Sequence, residues 1–307
     1  WKRQFGVPFA MDLQDPWVND YYEANPGVVP PGGRLKYTFA QLAARRDERR
    51  CLAAASAVSS VSKKYLEDIA RRYPQMPMSK FSVIPFGASK LDFEIARREP
   101  ASQTSIDFDD GLQHWVAIGA AGDYMRPALT HLFQGFRTAL SSGDPECARI
   151  RMHFVGTSYA PAGRARLTVL PVAAENGVED FVSERPDRIP YSEALQCIIK
   201  ASVLLIVGSD DAGYNPSRVA PYLMSERPVF AIVHHESPAV AVIQESGGIC
   251  ATFRPGVSDD QLAIAELLAR AANGQVQPTS LPTSLSAESM SSELASLFDR
   301  AVQLPDG

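Results

Sequence analysis

Two stretches combine glycine, small polar residues and arginine in the way an anion site requires. Gly119-Ala-Ala-Gly122-Asp123-Tyr124-Met125-Arg126 follows an apolar run and leads into helix-forming sequence. Backbone N–H groups at the start of such a helix have no intrahelical acceptor and can receive an anion, with Arg126 adding charge. Taken alone, the G-x-x-G spacing describes a tight strand-to-helix turn equally well. Gly208-Ser209-Asp210-Asp211-Ala212-Gly213-Tyr214-Asn215-Pro216-Ser217 says more. It is small and polar, Pro216 suits the opening of a helix, and Arg218 falls in the first turn, so an anion is expected there as well.

The other reactive side chains point elsewhere. Asp12 and Asp15 form a carboxylate pair, but beside Pro16 and Trp17 they read as turn-fixing residues rather than an acid-base couple. His234-His235 follows a strand end and reads as a pair of loop histidines in preference to ligand contacts, and His153 reads as a packed core residue. Ser209 has no neighbouring histidine, and no G-x-S-x-G is present. Cys51, Cys147, Cys197 and Cys250 lie far apart, without C-x-x-C or zinc-ligand spacing, so neither a metal site nor a redox pair is expected.

Bulk properties exclude further classes. Over 307 residues the formal net charge is -5, and lysine and arginine are scattered, which disfavours nucleic acid as a partner. The densest basic run, Arg45, Arg46, Arg49 and Arg50, is interleaved with Asp47 and Glu48 and reads as a solvated helix face. A 45% hydrophobic and 21% charged composition suits a globular core. No apolar run reaches the roughly 18 to 20 residues that span a bilayer, and a cytoplasmic protein is expected. The chain opens on Trp1 with no leader-like stretch, which reads as a piece of a longer protein. Its length fits one complete α/β domain and part of another.

The elements that would position the two glycine loops alternate along the chain. Apolar runs at Trp115–Gly119, Ile150–Val155, Val203–Val207 and Val229–Val233 read as strands, and Arg166–Val172 as a third strand between the second and the apolar Val203–Val207 run. Helices are expected at Pro127–Leu140, Tyr191–Lys200, Arg218–Ser225, Pro238–Glu245 and Gln261–Ala272. This is the pattern of a doubly wound parallel sheet, in which ligands sit beyond the carboxyl ends of the strands where the strand order reverses. Upstream, a strand at Phe5–Met11, a punctuated loop at Asn25–Gly33, a helix at Tyr37–Ala55, a strand at Ala57–Ser62 and a helix at Lys63–Tyr73 read as part of a second α/β layer. The Pro- and Ser-rich stretch Gln275–Leu285 and a helix over Ala287–Val302 close the chain.

Three segments carry a resemblance. Pro216-Ser-Arg-Val-Ala-Pro-Tyr-Leu-Met-Ser-Glu-Arg-Pro-Val-Phe-Ala231 resembles the Pro-Ser-Lys-x-x-Glu-Tyr-Leu-x-x-Gly-Lys-Pro-Val segment of retaining GT-B glycosyltransferases, the family 4 group (glycosyl transferases group 1). Phe81-Ser-Val-Ile-Pro-Phe-Gly87 resembles the Val-Ile-Pro-Asn-Gly that enters their second domain, and Asp12-Leu-Gln-Asp-Pro-Trp17 is similar to an Asp-x-Arg-Asp-Pro-Trp stretch late in their first. The resemblance implies a Rossmann-like GT-B C-terminal domain preceded by a partial N-terminal α/β domain. Residues 1–80 would be the remnant of the acceptor-side domain, 81–274 the nucleotide-sugar domain, and 275–307 a linker with the final helix.

By position, the resemblance puts Gly119, Gly122, Arg126, Ser209, Tyr214, Asn215, Ser217 and Arg218 about the diphosphate, and Arg188 to Tyr191, with Pro190 and Tyr191, about the base. It implies a nucleotide-diphosphate sugar as donor, no cofactor or protein-bound metal, a carbohydrate or lipid-linked acceptor, and a place in the cytoplasm at the inner face of the membrane. Pro221 stands where the family carries the acidic residue that holds the ribose hydroxyls, and Gly213 where its other acidic residue falls. Glu193 and Asp210 are not expected to replace them, and no catalytic residue is named. The expected function is sugar transfer with retention, inactive in this chain alone, with self-association covering exposed sheet edges. The alternatives are a non-catalytic GT-B-like module that has lost donor recognition, and a sugar-nucleotide epimerase.

Overall fold

The structure is a computed structural model that describes residues 2–18, 20–24, 29–30, 32–99, 104–161, 163–257 and 261–303. Of the loop expected at Asn25–Gly33, residues 25–28 and 31 lie outside the described residues. The chain divides into two compact units, one covering Trp1–Phe86 and Glu288–Gly307, the other Gly87–Ala287.

The first unit begins with a helical turn α1 (Lys2–Phe5), strand β1 (Ala10–Leu13) and a short α2 (Tyr21–Ala24). Phe5–Met11, expected as a strand, is therefore split. Gly6 turns the chain at φ 64°, Pro8 has no N–H for a ladder, and pairing starts only at Ala10. The long helix α3 (Gly33–Ala54), β2 (Ala57–Ser60), α4 (Lys63–Arg72) and β3 (Phe81–Val83) follow, and the three strands form one parallel sheet. Leu13, Leu52, Val58, Leu66, Ile69 and Tyr73 share its core. Glu48 is 1% exposed and keeps its charge company there through Arg72 and the Tyr73 hydroxyl, which donates at 2.9 Å.

The second unit runs α5 (Lys90–Arg98), β4 (Gln113–Ile118), α6 (Arg126–Ser141), α7 (Pro145–Ala148), β5 (Ile150–Val155), α8 (Leu170–Glu175), β6 (Val182–Arg185), α9 (Tyr191–Lys200) and β7 (Val203–Val207). It continues with α10 (Val219–Met224), β8 (Val229–His234), α11 (Ala239–Glu245), β9 (Ile249–Phe253) and α12 (Gln261–Ala272). The last helix, α13 (Ala287–Gln303), belongs almost wholly to the first unit, where Leu297 and Ala301 bury against Ala57 and Ile84. All six strands of the second unit are parallel, in the order β6-β5-β4-β7-β8-β9.

Strand β7 shows why the sheet is double-sided. Val203, Leu205 and Val207 enter the core under α6, α8 and α12, while Leu204 and Ile206 enter the core under α5, α9, α10 and α11. A fully apolar run with period-two alternation can only be a strand buried on both faces. Each such side chain contributes about 1.5–3 kcal/mol of transfer free energy against the ordering entropy. The fold is the expected α/β Rossmann-like doubly wound parallel sheet with a smaller parallel α/β unit.

Local readings differ at the sheet margins. Arg166–Val172 is not a strand: the chain turns into α8 there, and the strand beside β5 is β6. The reason is Glu184 of β6, whose carboxylate accepts the N–H groups of Thr168, Val169 and Leu170 at 2.8–3.1 Å and so caps the first turn of α8. Strand β9 after Gly247-Gly248, strand β3 and helix α5 are additions to the sequence reading.

Candidate functional site

Strand order in the second unit reverses between β4 and β7, because β5 and β6 extend the sheet on one side and β8 and β9 on the other. Such a reversal leaves a crevice beyond the strand ends, since the loops leave in opposite directions. Here the opening is deepened by the ladder itself. Paired positions between β4 and β7 stop at Val116 and Leu204, and the next free β4 donor, Ile118 N–H, is taken by the hydroxyl of fully buried Tyr222 at 2.7 Å. A phenol wedged from α10 thus replaces a strand-to-strand bond and satisfies the backbone group that the splay exposes.

The loop after β4 forms one wall. Gly119 takes φ 108°, a conformation that disfavours side chains, and its N–H donates to Val155 O at 2.8 Å. Ala121 is held from both sides, by its own N–H on Thr157 O at 3.0 Å and by the Thr168 hydroxyl on its carbonyl. Thr168 is bound in turn to Glu184, so the carboxylate that caps α8 also fixes this loop. After Gly122 a 3-10 turn over Asp123–Met125 leads to Arg126 and α6. Arg126 is ion-paired with Glu175 at the end of α8, and both side chains are about half exposed.

The loop after β7 forms the other wall. Gly208 lies against Val233, where a Cβ would come within 2.9 Å of the Val233 Cα, so only glycine permits this approach. The loop is wound on its own polar groups: Asp211 N–H donates to Ser209 Oγ at 3.0 Å, and Gly213 N–H to Asp211 Oδ1 at 2.8 Å. The two walls touch through Asp210 N–H on Tyr124 O at 3.2 Å and through the edge-on rings of Tyr124 and Tyr214, 6.3 Å apart. Ser217 is exposed and Asn215 half-buried on the way to α10.

Arg218 crosses the crevice. Its Nη2 donates to Ala120 O at 2.8 Å, and it lies beside Gly119, at ordinary contact distance from where a Cβ would stand. Glycine is called for here by its φ of 108°, not by the arginine beside it. This guanidinium lies within a wall of backbone groups, whereas that of Arg126 is already matched by a carboxylate.

The segment expected about a base lies beside the same loops. Gly156 brings Arg188 Cα to 3.8 Å of its Cβ position and Gly119 N to 3.9 Å, and the Arg188 guanidinium stacks on Tyr159 at 4.5 Å. Pro190 caps α9, with Ala194 N–H donating to its carbonyl at 2.9 Å. Tyr191 turns away to α5, where its hydroxyl donates to Asp92 at 2.8 Å; burial and this carboxylate push the phenol up to about 12.

The remaining candidates find structural work. Asp12, expected to fix a turn, lies instead within β1, where it accepts from its cross-strand neighbour Ser59 at 2.7 Å and from Gln14 at 3.2 Å. His234 ends β8, buried, with Nδ1 accepting from Glu236 N–H at 3.2 Å, and burial pushes its pKa down. His153 is more than core packing. From the middle of β5 it bonds His114 at 3.0 Å and Ser183 at 2.8 Å, and His114 bonds Asp110 at 2.9 Å. Among the described residues no group of three His, Cys, Asp or Glu side chains could hold a metal ion. Glu184, Thr168 and Tyr222 are the positioning residues that sequence reasoning missed, and only the Tyr-Leu pair of the 216–231 motif could have flagged one of them.

No protein-family model matches the sequence, and no curated protein matches it. Solved structures do. HepE from Anabaena in complex with UDP and glucose superimposes with a TM-score of 0.62 at 12% identity, over 97% of this chain and 73% of that one. The UDP-forming α,α-trehalose-phosphate synthase from Burkholderia vietnamiensis gives 0.58 at 16% identity, over 97% of this chain and 64% of that one. A glycosyltransferase from Rickettsia africae gives 0.51 at 12% identity, over 81% of this chain and 64% of that one. The chain thus spans less than two thirds of the length of the last two. With its parallel sheets, its order reversal at β4 and β7 and these neighbours, the chain has the fold of GT-B glycosyltransferases.

Proposed function

We propose that this chain is the donor-binding part of a glycosyltransferase that takes a sugar from a nucleotide-diphosphate sugar with retention and passes it to a carbohydrate or lipid-linked acceptor. The observation that carries the reading is Arg218, laid across the switch-point crevice over Gly119 and bonded to Ala120 O. A diphosphate in that crevice would meet its guanidinium, the N–H groups of the Gly119–Gly122 loop and those of the Ser209–Ser217 loop, with Arg126 at the rim. A nucleotide base would lie along the Arg188–Tyr191 backbone at Pro190. Fixed donors of this kind stabilise the charge that develops on a leaving diphosphate without a bound metal. The same reading places the protein in the cytoplasm at the inner face of a membrane, inactive as this chain alone and self-associated through its first sheet. Residues 81–274 are its nucleotide-sugar domain, with 1–80 on the acceptor side and 275–307 as linker and final helix.

Calorimetric titration with UDP, GDP and their glucose conjugates tests it. Arg218→Ala is expected to weaken binding about tenfold to a hundredfold, the worth of a charge-assisted hydrogen bond pair. Arg126→Ala should cost less, because its charge is already compensated by Glu175. A second reading, a non-catalytic module, is favoured by Pro221 in α10, whose ring offers nothing to ribose hydroxyls. Absence of binding at millimolar nucleotide would select it.

A further inference from the structure

Val116 of β4 and Val155 of β5 point into the core under α5, α9, α10 and α11. Period-two alternation puts His114 and His153 on that same face, and the β5–β6 register adds Ser183, directly opposite His153. His114 lies one step along on β4, opposite Arg151. Hydrogen bonds join these groups in one line: His153 Nδ1 to Ser183 Oγ at 2.8 Å, His153 Nε2 to His114 Nδ1 at 3.0 Å, and His114 Nε2 to Asp110 Oδ1 at 2.9 Å. His114 is 3% exposed, with Phe108 edge-on to its ring at 5.3 Å. His153 is half-buried, and the two ends of the line, Asp110 and Ser183, are exposed.

We propose that Asp110, His114, His153 and Ser183 form a proton relay across three strands whose direction one added proton reverses, so that Ser183 at the sheet edge offers an acceptor in one state and a donor in the other. An ionised carboxylate can only accept, and that fixes every proton behind it. The Leu112 N–H at 2.8 Å, and then His114, hold Asp110 below the usual carboxylate range, which makes it the anchor. With both rings neutral, His114 donates from Nε2 and accepts at Nδ1, His153 does the same, and the Ser183 hydroxyl donates to His153 Nδ1. An added proton finds its carboxylate only through His114, at Nδ1. His114 then donates from that nitrogen, His153 accepts at Nε2 and donates from Nδ1, and Ser183 becomes the acceptor with its own O–H turned outward. Each ring nitrogen in the line keeps a partner in both states. His153 itself is a poor place for the charge: burial, then His114, with Asp110 opposing and Arg151 adding, pushes it down to about 4. Of the other charged groups on the surrounding elements, Arg185 of β6 and Glu193 of α9 pair with each other at 3.6 Å, while Lys200 of α9 and Asp107 and Asp109 ahead of β4 are exposed. The relay shares no residue with the proposed donor site and does not depend on nucleotide binding.

Long-range proton–nitrogen correlation spectra of the full chain, labelled with nitrogen-15 histidine and titrated from about pH 8 to about 5, read each ring nitrogen separately and test the relay. The chain has five histidines, and the two signals sets are assigned by their loss in His114→Gln and His153→Gln. Above the transition both rings are expected to carry their proton on Nε2. Below it His114 should carry two protons, while His153 keeps one and moves it to Nδ1, at the same midpoint. In Asp110→Asn the acceptor-only anchor is replaced by an amide that both donates and accepts, so both tautomers of His153 should be populated at neutral pH. The parent spectra decide the matter even where a variant folds poorly. His153 protonated on Nδ1 above the transition, a second proton on His153 within this range, or separate midpoints for the two rings overturns the proposal. So does an Asp110→Asn spectrum identical to that of the parent.

Discussion

Glu226 adopts φ 63°, the only non-glycine residue with positive φ among the described residues. It follows the last turn of α10, where chains commonly leave the helix through a left-handed residue, and the motif that this segment resembles carries glycine at that place. The left-handed conformation costs a side-chain-bearing residue about 1–2 kcal/mol, partly offset by the entropy glycine loses on folding. Glu226→Gly is therefore expected to raise stability by about 1 kcal/mol, measured as a shift in the urea midpoint at unchanged slope. Losing the contact with Arg97, 3.9 Å away at an exposed pair, should matter little. His153 adds a pH dependence. Burial, with the charges of His114 and Arg151 against that of Asp110, pushes it from 6.5 down to about 4. Between those values the unfolded chain binds a proton that the folded chain refuses, so stability should fall as pH drops from about 6.5 to 4 and be untouched above. The loss is at most about 3 kcal/mol, less with solvent screening at this half-buried ring. Thermal unfolding of His153→Gln beside the parent chain should show a flatter profile in that window; parallel profiles would reject the account.

At the scale of elements, the contact between β6 and α8 decides whether the glycine loop keeps its shape. Glu184→Ala would strand the N–H groups of Thr168, Val169 and Leu170 and free the Thr168 hydroxyl that holds Ala121 O. A loss of about 2–4 kcal/mol is expected, seen calorimetrically as a lower Tm, together with weaker nucleotide binding. An unchanged Tm would mean that water replaces the carboxylate. The same contact marks where sequence reading failed. β7 and β8 are legible because five consecutive apolar residues bounded by glycine or proline fit a buried strand. β6 reads Val-Ser-Glu-Arg, an edge strand whose outer positions face water and whose glutamate serves a neighbouring helix, so no periodicity announces it. Val169-Leu170 looks like a strand until that glutamate caps it. The two glycine loops were readable from their composition, and Arg218 from the motif. Which arginine spans the crevice was not, since it depends on Glu175 arriving beside Arg126 from a different helix.

At the scale of the molecule, the second unit carries every residue of the proposed donor site. Both cores of its sheet close within Gly87–Ala287, one under α6, α8 and α12, the other under α5, α9, α10 and α11. Its two ends are tied to each other: Ala88 N–H donates to Leu285 O at 2.9 Å, and Ala287 N–H returns to Ala88 O at 2.8 Å. Gly87 abuts the Ser286 carbonyl, 2.7 Å from its Cβ position, a closeness that only glycine allows. A segment whose termini pair and whose apolar faces are both covered meets the conditions for folding alone. The fragment 87–287 is therefore expected to unfold in one cooperative transition and to bind the same nucleotide as the full chain within about a factor of two, or 0.4 kcal/mol. Titration of the two side by side is the check. A folded fragment that fails where the full chain binds would mean that residues outside the second unit complete the crevice; equal affinity would leave the first unit free for the acceptor.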